Sequence, residues 1–130
     1  MYNIPTAIVV DDDAETVSVF CEYLKILDVK VEGFGYNGKE AKELYVKFRP
    51  DIVFLDLVMP DYDGFYALEK IMQADPEANV VILTASHLDW YDQKRLEKMR
   101  PSKVILKPFD VDVVAELVDE HRKPLQRIRG

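Results

Sequence analysis

Acidic, hydroxyl and ammonium side chains directly follow four short apolar segments of this chain of 130 residues. Three aspartates at 11–13 follow the first of these segments, and Asp56 follows another. Thr84 follows a third segment, and Lys107 follows the fourth. If the four segments end at one place, the sequence brings several carboxylates, a hydroxyl and an ammonium group together there.

Such a group of side chains restricts the chemistry. Carboxylates held close together repel unless a cation or protons intervene. Asp11, Asp12 and Asp56 offer only oxygen ligands, which favours Mg²⁺ over a metal that prefers imidazole or thiolate. A carboxylate can also act as a nucleophile and form an aspartyl phosphate. Thr84 and Lys107 are then suitable partners for the phosphoryl oxygens.

The elements that position these residues are predicted from hydrophobic spacing. The apolar segments are rich in β-branched residues on both faces, which is typical of buried parallel strands. They cover residues 7–10, 52–55, 80–83 and 104–106, with a weaker segment around 29–31. Between them the spacing becomes helical, as for Val17, Phe20, Cys21 and Leu24. Five strands and five helices in strict alternation predict an α/β fold, a doubly wound five-stranded parallel sheet with helices on both faces.

Function in such a sheet gathers at the carboxyl ends of the strands. The first and third strands are expected to be neighbours at the point where the strand order reverses, as in the order 2-1-3-4-5. We therefore expect Asp11 and Asp56 to lie side by side, with Thr84 and Lys107 on the same edge.

Composition excludes several classes of protein. A hydrophobic fraction of 48% is enough for a core and argues against intrinsic disorder. The net charge of −7 argues against direct nucleic-acid binding by this domain. The single cysteine, Cys21, rules out an internal disulfide and is expected to be a small core residue. No segment predicts a membrane span or an export signal, so the expected location is the cytoplasm.

Charge also divides the chain. Basic side chains without any acid fill the end of the chain: Arg122, Lys123, Arg127 and Arg129. We expect one domain over residues 1–122 and a basic C-terminal tail or linker over 123–130.

Four motifs together resemble the response-regulator receiver domain of two-component signalling, in particular its chemotaxis-regulator-like members. They are VVDDD at 9–13, FLDLVMPDYDG at 54–64, LTAS at 83–86 and LKPF at 106–109. They occur in the family's order and on the family's strands, and the resemblance covers nearly the whole chain. It implies a flavodoxin-like sheet with the strand order 2-1-3-4-5.

The resemblance implies a role for each matching acid. Asp56 would be the phosphoacceptor, receiving the phosphoryl group from a sensor histidine kinase. Asp11, Asp12 and Asp56, with the backbone carbonyl of Val58, would hold Mg²⁺, for which Mn²⁺ can substitute.

Other matching positions would bind the phosphoryl group or shape the site. Thr84, Ala85 and Lys107 would bind phosphoryl oxygens and take part in the switch. The peptide bond before Pro108 is expected to be cis. The loop residues Met59 and Pro60 also match the family, and so does Gly64, expected to permit a tight turn into the third helix.

Val104 is a departure from the family. An aromatic residue often stands three positions before the lysine and acts as a rotating partner of the threonine. Val104 has no ring, so coupling of Thr84 to the distant face would need other groups. Val58 and Ser86 occupy the positions that tune the lifetime of the phosphate in this family.

The resemblance favours a phosphoacceptor switch that also phosphorylates itself from small donors and dephosphorylates itself, rather than a dedicated enzyme. Its expected partners are a sensor histidine kinase or phosphotransfer protein, and a downstream target or a C-terminal output domain. Phosphorylation would change the surface of helix 4, strand 5 and helix 5, through which a homodimer could also form. A phosphorylation-independent binding module is the alternative. An aspartyl phosphatase fits less well, because dehalogenase-type phosphatases carry a second aspartate where this chain has Val58.

Two further expectations concern ordinary structural roles. Asp13 is expected to cap the first helix, because aspartate is a favoured cap residue. Trp90 and Tyr91 are expected to begin the fourth helix, with one of the two rings packed and the other available to a partner.

Overall fold

The computed structural model describes residues 3–85 and 87–122. Ser86 and the basic tail at 123–130 lie outside the described residues. Strands and helices alternate throughout the described part of the chain. The strands are β1 (Thr6–Val10), β2 (Lys30–Gly35), β3 (Ile52–Asp56), β4 (Val80–Thr84) and β5 (Lys103–Leu106). The helices are α1 (Ala14–Ile26), α2 (Gly38–Phe48), α3 (Gly64–Ala74), α4 (Trp90–Met99) and α5 (Val111–Glu120).

The five strands form one parallel sheet in the order β2-β1-β3-β4-β5. This is the predicted doubly wound order. Strands β1, β3 and β4 occupy the centre and are almost completely buried. Their β-branched and apolar residues therefore point into protein on both faces of the sheet, as expected for a sheet covered on both sides.

Two hydrophobic clusters, one on each face, hold the helices to the sheet. Ile8 and Val10 of β1 belong to the cluster that includes residues of α2, α3 and α4. Ala7 and Val9 belong to the other, which includes residues of α1 and α5. This alternation follows from the two-residue repeat of a strand. Cys21 packs against the second cluster and is partly buried, as expected for a small apolar residue.

Strand β2 differs from its predicted extent. It runs over Lys30–Gly35, whereas the apolar pattern placed it around residues 29–31. Backbone pairing with β1 continues through Gly33 and Phe34, with a register shift between Ala7 and Ile8. Main-chain hydrogen bonds define this edge strand, so the pattern of apolar side chains predicted only the beginning of the strand.

Within residues 3–85 and 87–122 no helix is long and apolar enough to cross a membrane. Asp13 is the N-cap residue of α1, as predicted. Its carboxylate accepts a hydrogen bond from the Thr16 hydroxyl at 2.6 Å and not from a backbone N–H.

Helix α4 begins at Trp90, but the expectation that one of its two aromatic rings packs into the core is wrong. Trp90 is 64% exposed and Tyr91 77% exposed. The rings contact each other edge to face, with centroids 5.2 Å apart. The helix buries Leu96 and packs Met99 against the core, and residues 90 and 91 lie outside that narrow stripe.

Candidate functional site

The sheet brings the predicted site residues together at the carboxyl ends of its strands. Asp56 is the last residue of β3, and Asp11 directly follows β1. The two strands are paired, with Val10 opposite Leu55, so Asp11 and Asp56 leave the sheet side by side. The prediction that the first and third strands are neighbours is therefore confirmed.

Asp11, Asp12 and Asp56 form a cluster of three carboxylates. One oxygen from each lies within 4.8 Å of the others. Asp11 is buried, Asp56 is half-buried and Asp12 is exposed. The cluster thus extends from the protein interior to solvent, so an ion or a phosphoryl group can approach it.

Lys107 supplies a positive charge inside this cluster. Its Nζ donates a hydrogen bond to Asp11 Oδ2 at 2.9 Å. The other oxygen of Asp11 accepts the backbone N–H of Asp13, also at 2.9 Å. An ammonium group has three N–H donors, so Lys107 can bind further oxygens while it contacts Asp11.

The surroundings of Asp56 disfavour its ionised form. Desolvation by burial raises the pKa of this carboxyl above its ordinary value, and the nearby negative charge of Asp11 raises it further. The Lys107 ammonium and the backbone N–H groups of Val58 and Leu57 act in the opposite direction, but the net pKa shift is upward. More positive charge near Asp56 would therefore favour the ionised form of this carboxyl.

This shift predicts a pH-dependent effect of replacing Asp56 with asparagine. A raised pKa means that the folded protein keeps a proton that the unfolded chain has lost, so the free energy of unfolding falls as pH rises through the folded-state pKa. Asp56→Asn, measured by urea unfolding in the presence of a chelator, should therefore be more stable than the wild type at pH 7. The difference should shrink as pH falls toward 3.8, the ordinary value for aspartate. A difference that does not change with pH would contradict the raised pKa.

Thr84 and Ala85 lie on the same edge of the sheet. Thr84 is the last residue of β4 and is fully buried. Its backbone carbonyl accepts the N–H of Lys107 at 2.8 Å, which fixes the end of β4 against the residue that follows β5. Ala85, the next residue, is exposed.

The peptide bond between Lys107 and Pro108 is cis. Pro108 is exposed and leads into α5. It lies in the same loop as Phe109, whose ring packs toward α1.

The loop from β3 to α3 forms the wall next to Asp56. The side chain of Met59 is buried in the hydrophobic core, whereas those of Val58 and Pro60 are exposed. Asp63 caps α3 by accepting the N–H of Tyr66 at 2.9 Å. The loop is thus anchored in the core at Met59 and at the cap of α3, whereas the side chain of Val58 faces solvent.

Gly64 is needed for a different reason than the sequence suggested. None of the described glycines has a positive φ, so Gly64 does not supply an unusual backbone conformation. A Cβ at this position would lie 2.5 Å from the carbonyl oxygen of Asp56 and 2.6 Å from the Cα of Leu57. The N–H of Gly64 donates to the Leu57 carbonyl at 2.9 Å. Close approach of the first residue of α3 to the end of β3 excludes any side chain here.

The donor set of the carboxylate cluster fits Mg²⁺. All of its ligand atoms are oxygens, and Mg²⁺ typically binds through one or two carboxylates together with waters and a phosphate oxygen. Both oxygens of Asp11 already accept hydrogen bonds, but each carboxylate oxygen has a second lone pair. Asp12, the residue after Asp11, and Asp56, at the end of the neighbouring strand β3, provide the other carboxylate oxygens of the cluster.

Sequence reasoning missed the apolar surroundings of the site. Phe20 of α1 lies between Phe54 of β3 and Phe109 of the loop after β5, with ring centroids 5.0 Å and 6.4 Å away. The position of Phe20 on the apolar stripe of α1 was visible in the sequence. That Phe20 lines the same cavity as Lys107 and Asp56 depends on how α1 packs against the sheet.

Comparison with known proteins agrees with this architecture. The family described as response regulator receiver domain matches residues 7–119. The chemotaxis protein CheY of Listeria monocytogenes is 34% identical over 116 residues, which cover 89% of this chain and 97% of that protein. Protein CcdB of Bacillus subtilis is also 34% identical, over 114 residues, 87% of this chain and 94% of that protein.

A solved structure shows the same fold. The crystal structure of the CheX-CheY-BeF3-Mg+2 complex from Borrelia burgdorferi includes a chain that superposes with a TM-score of 0.81 at 28% identity. The superposition covers 90% of this chain and 89% of that one. A doubly wound sheet with aspartates and a lysine at its carboxyl edge, together with these matches, defines a receiver domain of two-component signalling. The chain belongs to the response regulator receiver domain family.

Proposed function

We propose that this receiver domain accepts a phosphoryl group on Asp56, with Mg²⁺ bound, from a sensor histidine kinase or a phosphotransfer protein. The observation that carries the proposal is the position of Lys107, whose Nζ lies 2.9 Å from Asp11 within the carboxylate cluster. An ammonium group fixed on Asp11, close enough for its charge to oppose the burial that raises the pKa of Asp56, provides both affinity for a phosphate and a partner for its charge.

Each residue of the site has a defined part in the transfer. A carboxylate oxygen of Asp56 attacks phosphorus, and the bond from phosphorus to the donor's histidine nitrogen breaks, with its electron pair returning to that nitrogen. Lys107 donates hydrogen bonds to the phosphoryl oxygens as they approach. Asp11, Asp12, Asp56 and the backbone carbonyl of Val58 would hold Mg²⁺, which would supply positive charge to neutralise the carboxylates and polarise the phosphoryl group.

Metal binding should stabilise the folded domain. A ligand that binds only the native state adds about 1.4 kcal/mol at ten times its dissociation constant. We therefore expect Mg²⁺ to raise the melting temperature of the wild type in a concentration-dependent way, and Asp12→Asn to lose most of that rise. Glu22→Gln, which removes an exposed acid of α1, is the matched control and should retain it. Equal rises in wild type and Asp12→Asn would argue against this metal site.

The proposed output surface is the face made by α4, β5 and α5. Trp90 and Tyr91 are exposed there, and so are Leu106 and, to a lesser degree, Val104 of β5. Lys94 lies over the Trp90 ring, 5.8 Å from its centroid. Exposed aromatic side chains beside a cation suit a protein partner, which could be a downstream target, a second copy or an output domain.

We place this signalling in the cytoplasm.

Thr84 would move toward the phosphoryl group and transmit the change to this face. With Val104 in place of a ring, we propose that the transmission runs through the segment between β4 and α4. Leu88 of that segment packs against the same core cluster as Leu96 of α4, so a movement near Thr84 can shift the helix.

Mass spectrometry tests the proposal directly. Wild-type protein incubated with acetyl phosphate and Mg²⁺ should gain the mass of one phosphoryl group, and Asp56→Asn should gain none. Asp61→Asn is the matched control, because Asp61 is an exposed aspartate of the neighbouring loop with a φ of 65°, a conformation that asparagine tolerates. This control should be labelled like the wild type.

Three results would contradict the proposal. The absence of any phosphoryl adduct on the wild type would favour a binding module that does not need phosphorylation. Equal labelling of Asp56→Asn would place the acceptor elsewhere. Rapid continuous turnover of a generic phosphate ester would favour a phosphatase.

A further inference from the structure

An apolar groove adjoins the phosphoacceptor and has no part in the chemistry described above. It is a cavity of about 670 Å³ between α1 and the loop that joins β5 to α5. Asp11, Asp56 and Lys107 are among the residues that line it. The phosphoryl site and the groove therefore share one cavity, which is lined by both charged and apolar side chains.

The walls of the groove are built from buried side chains of the sheet and from aromatic rings. Val9, Phe54 and Leu83 line it from β1, β3 and β4, and all three are buried. Phe20 packs edge to face on Phe54 and on Phe109, so the rings form a continuous apolar wall.

A hydrogen bond ties the two sides of the groove together. The Tyr23 hydroxyl of α1 donates to the carbonyl of Val111, the first residue of α5, at 2.7 Å. Val19 and Val111 line the groove with side chains that are 65% and 52% exposed. The groove is thus open to solvent at its rim, and its two sides are connected by the fold.

Charge at the rim indicates what the groove can accept. Asp13 and Glu15 also line it, and both are exposed. They would repel a ligand with a second anionic group. A ligand with one phosphoryl group and a neutral hydrocarbon chain matches the Lys107 cation and the apolar walls of the same groove.

We propose that this groove binds the hydrocarbon chain of small acyl phosphates, so that Asp56 is phosphorylated faster by donors with longer apolar acyl groups. This inference rests on the proposed function of Asp56. In the transfer a carboxylate oxygen of Asp56 bonds to phosphorus, and the bond between phosphorus and the acyl oxygen breaks. The electron pair stays on that oxygen, so a free carboxylate leaves and an aspartyl phosphate remains.

The test compares acetyl phosphate with hexanoyl phosphate on the full chain with Mg²⁺, by the rate of phosphoryl mass gain. Both donors release simple aliphatic carboxylates, and their spontaneous hydrolysis in buffer is measured alongside as a correction for intrinsic reactivity. Each fully buried methylene is worth roughly fourfold. With four additional methylenes, we expect the wild type to react with hexanoyl phosphate on the order of tenfold faster or more at limiting donor concentration.

Two variants locate the effect. The double variant Val19→Gln with Val111→Gln makes the rim polar at two exposed positions, so the ratio of hexanoyl to acetyl rates should fall severalfold. Val46→Gln is the matched control, because Val46 is an exposed valine of α2 that does not line the groove. It should keep the wild-type ratio.

The outcomes separate this inference from the proposed function. A hexanoyl to acetyl ratio near one, with Asp56 labelled by acetyl phosphate, would overturn the groove and leave the phosphoacceptor intact. A high hexanoyl to acetyl ratio that is unchanged in the double variant would also overturn the proposal that the groove binds the hydrocarbon chain. Labelling by neither donor would overturn the proposed function and the inference together.

Discussion

Replacing Lys107 with methionine is expected to slow phosphorylation of Asp56 by on the order of a hundredfold, the usual effect of removing one preorganised donor to a developing charge. The ammonium group of Lys107 is the cation that contacts the buried carboxylate of Asp11 at 2.9 Å. Methionine keeps an unbranched chain but provides neither charge nor donor. The rate of mass gain with acetyl phosphate at fixed Mg²⁺ measures the effect.

The matched control for this prediction is Lys103→Met. Lys103 begins β5 and is exposed, so its replacement removes the same charge at the opposite end of the strand that precedes Lys107. Lys103→Met should be labelled at close to the wild-type rate. If Lys107→Met were labelled at a similar rate, the assignment of Lys107 to the phosphoryl oxygens would be wrong.

Replacing Gly64 with alanine is expected to lower the free energy of unfolding by about 3 kcal/mol, at the upper end of the usual effect of overpacking. The new Cβ would meet backbone atoms, the Asp56 carbonyl oxygen at 2.5 Å and the Leu57 Cα at 2.6 Å. Backbone at the end of a central strand cannot move aside as a side chain can. Urea unfolding at neutral pH measures the change in stability.

Gly33→Ala provides the comparison. Its Cβ would also be too close to a neighbour, at 2.8 Å, but that neighbour is the terminal Cδ2 atom of Leu44. A small change in the side-chain torsions of Leu44 can move this atom away, so we expect the free energy of unfolding to fall by less than about 1 kcal/mol. A Gly64→Ala variant as stable as Gly33→Ala would show that α3 can move away from β3. Such a movement would displace the residue next to Asp56, so the rate of phosphorylation of Gly64→Ala should fall as well.

The central strands could be predicted from the sequence because they are buried on both faces. Continuous apolar segments such as residues 52–55 and 80–83 have few alternatives to a buried parallel strand. Strand β2 was predicted less well, because an edge strand is held by main-chain pairing and tolerates Glu32 and Gly33. The difference reflects how much each strand depends on side-chain burial.

Helix α4 illustrates a second limit. Its beginning at Trp90 follows from the cap provided by Asp89, a local feature of the sequence. Whether Trp90 or Tyr91 packs depends on the angle at which the helix meets the sheet, which no local pattern specifies. Both rings lie on the outer side, where they belong to the proposed output surface.

The sequence by itself determined the order of the elements, the two-sided core and the placement of Asp11, Asp56, Thr84 and Lys107 at strand ends. These depend on burial patterns and on short-range spacing, which each segment carries alone. The tertiary structure decided that Lys107 pairs with Asp11, that Gly64 is a site of close packing, and that an apolar groove opens beside Asp56. These features depend on how strand ends, loops and helices pack together at the carboxyl edge of the sheet, and that packing is fixed only when all the elements are assembled.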